Sequence, residues 1–365
     1  MVDLINTSWK NLEEILLQKK IVCYGAGEKF KEFMELVEDQ NVNFIIEACI
    51  DRNADILNKE KDDAKYITFE KFIASDITFD CIIITNSKNC LEIFNLIDRE
   101  PRFDEKYCLF FDLIEIDDRE ENNTEQCNLT DSTINNIPKI IHYCWFGGNE
   151  MPQEYIDYME SWKRFCPEYK IMRWDENNYD ITKNKYMYDA YKEKKWAFVS
   201  DYARLDVLYN YGGIYLDTDV ELLRPLDNLL SYDFVSGFES YKYVNTGLLA
   251  GAKKGCSLIE DTIDLYDKLS FYNDDGSLNM TPCVVYQAKI LSKHGFKMNG
   301  RTQLMNNMKI FPRTYFSPYC LHLQGEKLIK ENSYSIHHYG ASWNDKYKKE
   351  QQDSMEIINK RMRYI

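Results

Sequence analysis

The sequence lacks several features that would assign it to a common class of protein. It has no apolar run long enough to cross a membrane, and its eleven cysteines form no C-x-x-C pair. An odd number of scattered cysteines favours free thiols in a reducing compartment over a disulfide framework. The first twenty residues, MVDLINTSWKNLEEILLQKK, contain no signal-peptide core. We therefore expect a cytoplasmic protein without a transmembrane segment.

The sequence also has fewer basic than acidic residues. The 365 residues include 45 lysines and arginines against 60 aspartates and glutamates, which gives a net charge of −15. This balance argues against nucleic acid as a partner and against a broad anionic membrane surface. A substrate that carries phosphate would need a metal ion or a few well-placed cations. The length is sufficient for two domains.

Short apolar strands alternate with helical segments over residues 1–116. Strands are predicted at Lys20–Tyr24, Asn43–Ile50, Asp80–Thr85 and Tyr107–Asp112, and helices at Glu28–Asp39 and Asn89–Asp98. This order predicts a small Rossmann-like α/β domain. The polar, acidic residues 117–136 predict a linker to a second domain, residues 137–365.

A glycine loop in the first domain only partly matches a dinucleotide site. Gly25-Ala26-Gly27 follows the first predicted strand, but Phe30 stands where the third glycine is expected. Asp51 occupies the position of a ribose-binding acid. We interpret the domain as a scaffold or assembly module, and an NAD-dependent enzyme is the alternative.

The stretch Trp196–Pro225 organises the second domain. Its apolar spacing predicts a helix with Ser200 as the N-cap, which Gly212 and Gly213 terminate. A brief apolar strand follows and leads directly to Asp217-Thr218-Asp219. In an extended segment residues two apart face the same way, so both carboxylates can bind one hard cation such as Mn²⁺ or Mg²⁺. The alternative is an ordinary polar turn.

Three motifs resemble glycosyltransferase family 32. They are SDYARLDVLYNYGGIYLDTDV (residues 200–220), IPKIIHYCWFGG (137–148) and SIHHYGASW (335–343). The family includes capsular polysaccharide enzymes and yeast mannosyltransferases, and the glucosylating toxins of clostridia are distant relatives. The resemblance implies a nucleotide-diphospho-sugar transferase domain of the GT-A type. It implies transfer of a hexose from a UDP-sugar, with retention, to a saccharide or lipid-linked glycan acceptor in bacterial capsule or lipopolysaccharide synthesis.

The same resemblance assigns roles to individual residues. Asp217 and Asp219 would bind Mn²⁺ or Mg²⁺ together with His338, and His337 is the runner-up because neighbouring strand residues face opposite ways. Asp201 would hold hydroxyls of the donor sugar, and Arg204 would contact sugar or phosphate. The remaining contacts would be uracil stacking by Trp145, a sugar-facing or acceptor-facing amide from Asn245 and a diphosphate contact from Trp343. His142 is expected to be structural.

Several alternatives stay open at this point. Trp145 and the histidine pair could belong to the core, Asn245 could form a turn, and Asp201 with Arg204 could be a surface ion pair. The protein could be a non-catalytic sugar-nucleotide-binding scaffold, or an effector that glycosylates a protein. Residues 345–365 read as a solvated charged helix, with peripheral membrane contact as the other reading.

Overall fold

The chain divides into two units, each built around a seven-stranded sheet. The computed structural model describes residues 1–39, 44–60, 66–114, 135–318, 329–340, 358 and 360–364. The first unit is built on the residues up to 114 and on those from 358 onward, and the second on residues 135–318 and 329–340. The predicted linker, residues 117–136, lies almost wholly outside the described residues.

The first unit is a parallel α/β sheet. Its strands, which pair in the order β1-β6-β5-β2-β3-β4, are β1 (Asp3–Asn6), β2 (Lys20–Tyr24), β3 (Ile45–Ile50), β4 (Tyr66–Ile67), β5 (Cys81–Ile84) and β6 (Tyr107–Phe110). The helices are α1 (Trp9–Leu16), α2 (Glu28–Asp39), α3 (Ala54–Glu60), α4 (Phe69–Ile73) and α5 (Cys90–Asp98). The predicted α/β class is confirmed. The sequence analysis missed β1.

Backbone N–H groups of the glycine loop in this unit donate hydrogen bonds within the protein. The Asp51 carboxylate accepts a hydrogen bond from the Ala26 backbone N–H at 2.9 Å, and Gly25 N–H donates to the Ile50 carbonyl at 2.8 Å. Phe30 is buried and packs against Tyr66. The Asp51 carboxylate thus accepts the hydrogen bond of a loop N–H that could otherwise donate to a phosphate. This supports the interpretation of the first unit as a scaffold.

The second unit contains a mixed seven-stranded sheet and a separate two-stranded one. The seven strands pair in the order β13-β14-β11-β12-β9-β7-β8, and β10 pairs with β15. Their bounds are β7 (Ile140–Cys144), β8 (Lys170–Trp174), β9 (Gly213–Tyr215), β10 (Val220–Leu222), β11 (Phe234–Gly237), β12 (Ala250–Ala252), β13 (Gln303–Met305), β14 (Met308–Phe311) and β15 (Ser335–His337). The helices are α6 (Gln153–Phe165), α7 (Lys185–Lys192), α8 (Trp196–Tyr211), α9 (Ser257–Tyr266), α10 (Cys283–Lys293) and α11 (Arg313–Phe316).

Helix α8 begins one turn earlier than its sequence predicts. Ser200 is not the N-cap but an interior residue, whose hydroxyl donates to the Trp196 carbonyl at 3.1 Å. The predicted end of the helix is confirmed, since Gly212 is its C-cap with φ +65°. At Gly213, which has φ +111°, a Cβ would lie 2.8 Å from the Ile140 carbonyl oxygen. Glycine therefore lets β9 dock closely against β7.

The last described residues join the first unit. Strand β16 (Arg363–Tyr364) pairs in parallel with β1. Arg361 donates from both terminal guanidinium nitrogens to the Asp98 carboxylate, at 2.6 and 2.8 Å. The sequence analysis placed these residues in the second domain, in a solvated helix. The described residues instead add an edge strand to the first sheet.

His142 is a buried structural residue, as expected. Its Nδ1 accepts a hydrogen bond from the Trp174 indole N–H at 3.0 Å, so Nε2 carries the proton and donates to the Gly212 carbonyl at 2.8 Å. Burial lowers the pKa of His142 to about 4. The neutral ring joins β7, β8 and the end of α8.

This arrangement predicts a stability that depends on pH. Unfolded His142 binds a proton below about pH 6.5 and the folded ring does so only near pH 4, so stability is lost as pH falls between these values. We expect a contribution of about 3 kcal/mol to this loss. The free energy of unfolding by denaturant, measured for wild type and His142→Gln between pH 7 and 4, checks this prediction. Equal slopes of this free energy against pH for the two proteins would contradict it.

Candidate active site

Two aspartates and a histidine converge at the end of β9. Ligand atoms of Asp217, Asp219 and His337 all lie within 4.8 Å of one another. The antiparallel pairing of β10 with β15 places Val220 opposite His337, and this brings the imidazole Nε2 within 3.2 Å of an Asp219 oxygen. The two predicted aspartates are thus brought together with a histidine from a strand far along the chain.

The histidine of this cluster is His337 and not His338. His338 faces away from it, with Nε2 3.0 Å from a Glu221 oxygen and its ring stacked on Tyr158 at 3.9 Å. The choice of His338 as a metal ligand is therefore corrected. Successive residues of an extended segment face opposite ways, and the family resemblance alone could not decide which of the two histidines faces inward.

Asp219 also holds the chain after β15. One carboxylate oxygen accepts from the Gly340 backbone N–H at 2.8 Å, and the His338 backbone N–H donates to the Asp219 carbonyl at 2.9 Å. Burial alone would raise the pKa of Asp219, but His337 and the Gly340 N–H outweigh it and lower the pKa to about 2. Asp219 is therefore ionised at neutral pH.

The cluster fits a divalent cation. His337 is buried, and its Nδ1 has no hydrogen-bond partner among the described residues. Buried polar atoms without a partner are rare in folded proteins and call for an explanation such as a bound ion. Two carboxylates with one imidazole form a donor set that suits Mn²⁺, and Mg²⁺ accepts the carboxylates.

Arg204 lies between two carboxylates next to the cluster. Its Nη2 is 2.9 Å from Asp201 Oδ1 and 3.6 Å from Asp217 Oδ1. Asp201 and Arg204 are 7% and 4% exposed, which excludes the reading as a surface ion pair. Burial raises the pKa of Asp201 to about 6, although Arg204 opposes this shift. The arginine supplies a fixed, desolvated positive charge.

Tyr215 completes this corner and was missed by the sequence analysis, which treated it as an apolar strand residue. Its hydroxyl donates to Asp217 at 3.0 Å, and its ring lies under the Arg204 guanidinium, 5.0 Å from ring centroid to Cζ. The signal was available, since Tyr215 and Asp217 are two apart in an extended segment and face the same way.

Asn245 supports the corner from a neighbouring loop. Its side-chain oxygen accepts from the Gly247 N–H at 2.7 Å, and its amide donates to Glu239 at 2.6 Å. A Cβ on Gly247 would lie 2.1 Å from an Asp217 oxygen and 2.8 Å from Arg204 Nη1. The amide expected to face the sugar is thus engaged within the loop, and Gly247 provides the close approach.

The two tryptophans expected at the nucleotide remain predictions. Trp145 is half-buried, its indole N–H donates to the Asn149 carbonyl at 2.8 Å, and its ring meets Tyr155 edge-on. It lies directly after β7, which neighbours β9 in the sheet. Trp343 lies outside the described residues.

A known protein family matches the part of the chain that contains most of this site. The family described as "Glycosyltransferase sugar-binding region containing DXD motif" matches residues 152–235, which include Asp201, Arg204, Asp217 and Asp219. The chain carries the sugar-binding region of a DXD glycosyltransferase. This glycosyltransferase region lies in the domain predicted as GT-A. A second family, "C2185-like, N-terminal", matches residues 17–101 in the first unit.

Curated relatives resemble about a quarter of the chain. Inositol phosphoceramide mannosyltransferase 3 of Schizosaccharomyces pombe is 38% identical over 102 residues, which cover 26% of this chain and 28% of that protein. An uncharacterized glycosyltransferase of Acanthamoeba polyphaga mimivirus is 34% identical over 117 residues, covering 30% of this chain and 45% of that protein. The chain thus spans less than half the length of both relatives.

Two solved glycosyltransferase structures are also similar. "PaToxG Glycosyltransferase" has 18% identity and a TM-score of 0.35, and the match covers 43% of this chain and 68% of that one. A glycosyltransferase involved in glycosylation of the major capsid of PBCV-1 has 10% identity and a TM-score of 0.32, covering 60% of this chain and 99% of that one. Among the described residues, no helix has the length and apolar character needed to cross a bilayer.

The choice between the two histidines can be tested by metal binding. We expect His337→Ala to weaken Mn²⁺ binding by about 10-fold or more, because it removes a ligand. His338→Ala should leave the affinity near the wild-type value, since His338 contacts Glu221 and Tyr158. Titration of the free Mn²⁺ electron paramagnetic resonance signal measures both variants. A larger loss in His338→Ala would contradict the assignment.

Gly247 offers a second test of the same corner. We expect Gly247→Ala to reduce Mn²⁺ affinity strongly, because the added methyl group would overlap the Asp217 carboxylate. The matched control is Gly27→Ala in the first unit, where a Cβ meets nothing within 4 Å. Circular dichroism reports whether both variants are folded. Wild-type Mn²⁺ affinity in folded Gly247→Ala would show that the close approach of Gly247 does not determine the position of the Asp217 carboxylate.

Proposed function

We propose that the protein is a metal-dependent glycosyltransferase that moves a hexose from a UDP-sugar to a hydroxyl of a saccharide or lipid-linked glycan. The observation that carries this proposal is the convergence of Asp217, Asp219 and His337 beside a buried arginine. These two aspartates and that arginine, Arg204, lie in the region matched to DXD glycosyltransferases.

The charges of the site support a diphosphate donor bound together with a cation. Arg204 pairs with Asp201 and Asp217, and Asp219 contacts His337. The three carboxylates outnumber the one guanidinium, so an anionic donor would be repelled without additional positive charge. Asp217, Asp219 and His337 would hold Mn²⁺ or Mg²⁺, which when bound supplies Lewis-acid stabilisation to a departing diphosphate.

Arg204 and Asp201 would act on the donor directly. A guanidinium forms charge-assisted hydrogen bonds to phosphate oxygens and keeps its charge at any working pH. Because Arg204 is already desolvated and fixed, its interaction with the charge that grows on the leaving diphosphate requires little reorganisation. The Asp201 carboxylate can accept hydrogen bonds from sugar hydroxyls, which orients the hexose.

The donor sugar and the acceptor are the finer parts of the proposal. The UDP-sugar, the retention of configuration and the setting in bacterial capsule or lipopolysaccharide synthesis rest on family resemblance. One curated relative is named an inositol phosphoceramide mannosyltransferase, which supports a mannosyl donor and a lipid-linked acceptor as candidates. A cytoplasmic site of action is also part of the proposal, and the odd number of scattered cysteines in the sequence supports it.

The proposal predicts release of nucleoside diphosphate from one donor of a panel. Purified protein with Mn²⁺ is incubated with UDP-hexoses and with GDP-mannose, and the released UDP or GDP is measured. We expect EDTA to abolish release and Asp217→Asn or Asp219→Asn to reduce it at least about 100-fold, since each removes a ligand charge. Asp227→Asn, which breaks a surface ion pair with Lys139, is the control.

The panel separates the alternatives. Metal-dependent turnover of GDP-mannose alone would replace the UDP-sugar with a GDP-sugar. Binding of a nucleotide sugar without turnover would favour a non-catalytic scaffold. Transfer to a protein rather than a glycan would indicate an effector. Absence of binding to every nucleotide sugar would refute the proposed function, and NADH binding in that case would favour the dinucleotide alternative.

A further inference from the structure

A fourth carboxylate, Glu239, lies beside the site and was not singled out by the sequence. It lies two residues after the end of β11 and starts a short hairpin. Phe238 forms a β-bridge with Val244, and Glu239 N–H donates to the Tyr243 carbonyl at 2.8 Å. Phe238 and Val244 are completely buried. The backbone of Glu239 is therefore firmly anchored, while its side chain is half-buried.

The side chain of Glu239 is also held in place. Asn245 donates from Nδ2 to one oxygen of the Glu239 carboxylate at 2.6 Å. The orientation of this amide is unambiguous, because the Asn245 oxygen must accept from the Gly247 N–H at 2.7 Å. One carboxylate oxygen is thus fixed by an amide that has no freedom to turn.

This hydrogen-bonded chain leads directly to the corner of the site. Gly247 accepts from the Asp217 N–H at 3.0 Å, and its Cα lies so close to Asp217 and Arg204 that no side chain fits there. Glu239, Asn245 and Gly247 therefore form one unit with Asp217.

Glu239 lies within electrostatic reach of the Asp201 end of the site. The pKa of the Cys283 thiol is raised by burial, and the charges of Asp201 and Glu239 add to that effect. If the metal cluster binds the diphosphate and Asp201 holds hydroxyls of the hexose, as proposed above, the hexose lies between them.

The balance of charges in the site indicates that Glu239 binds an uncharged group. Arg204 neutralises Asp201, and a divalent ion would neutralise the two aspartates of the cluster. No lysine or arginine in the described part of the chain forms an ion pair with Glu239. A hydroxyl group satisfies a carboxylate without adding charge, and a carboxylate binds sugar hydroxyls through its two oxygens.

We propose that Glu239, held by Asn245, binds a hydroxyl of the donor hexose and is a specificity-determining residue of the site. This inference rests on the proposed function, because it requires a nucleotide-sugar donor. It reassigns the sugar contact expected of Asn245, whose side-chain oxygen is engaged with Gly247 and whose amide positions Glu239.

The test compares binding of a nucleotide with binding of the same nucleotide carrying its sugar. Isothermal titration calorimetry with Mn²⁺ measures UDP and each UDP-hexose, or GDP and GDP-mannose, against wild type, Glu239→Gln and Glu239→Ala. We expect both variants to bind the nucleotide sugar about 10- to 100-fold more weakly, which is the usual cost of losing a hydrogen bond to a charged group. Their affinity for UDP or GDP alone should stay unchanged.

Controls keep the outcomes distinct. Glu260→Gln, which removes a surface carboxylate bonded to the Tyr209 hydroxyl, should change neither affinity. If Glu239→Gln weakens nucleotide and nucleotide sugar equally, or weakens neither, Glu239 does not contact the hexose and the inference is wrong. If the wild type binds no nucleotide and no nucleotide sugar, the proposed function itself is wrong.

Discussion

A buried guanidinium between two carboxylates is the interaction on which the site depends. Arg204 reaches Asp201 and Asp217 and lies over the ring of Tyr215, all within a corner that is largely closed to water. Breaking one partner from a buried ion pair is strongly destabilising, because a charge is left unpaired in a poorly solvated place. Asp217 is therefore oriented by the protein itself, and a metal ion would find this ligand already in position.

The charged residues of this corner were largely predicted from the sequence, but not every residue that forms it was. Asp217 and Asp219 were found because a glycine-terminated helix and a short apolar strand place them at the end of β9. Asp201 and Arg204 were found through the resemblance to glycosyltransferase family 32. Tyr215 and Glu239 were missed, since a tyrosine in an apolar strand and a glutamate after another strand have no distinctive local pattern.

Long-range pairing explains the remaining differences. The choice between His337 and His338 depends on the register of β15 against β10, two strands more than a hundred residues apart in sequence. A one-residue shift in register exchanges the faces of a strand, and no local pattern fixes that register. The helices and strands of the first unit, by contrast, follow local periodicity, and β2 and α2 have the predicted bounds.

The pairing of β16 with β1 has a consequence for biosynthesis. Residues near both ends of the numbered chain form neighbouring strands of one parallel sheet, while the glycosyltransferase region is encoded between them. As the ribosome synthesises the chain from its N-terminus, β1 has no outer neighbour until Arg363 and Tyr364 emerge. The region between them can fold earlier, so this sheet is completed only after the residues between its two outer strands have been synthesised.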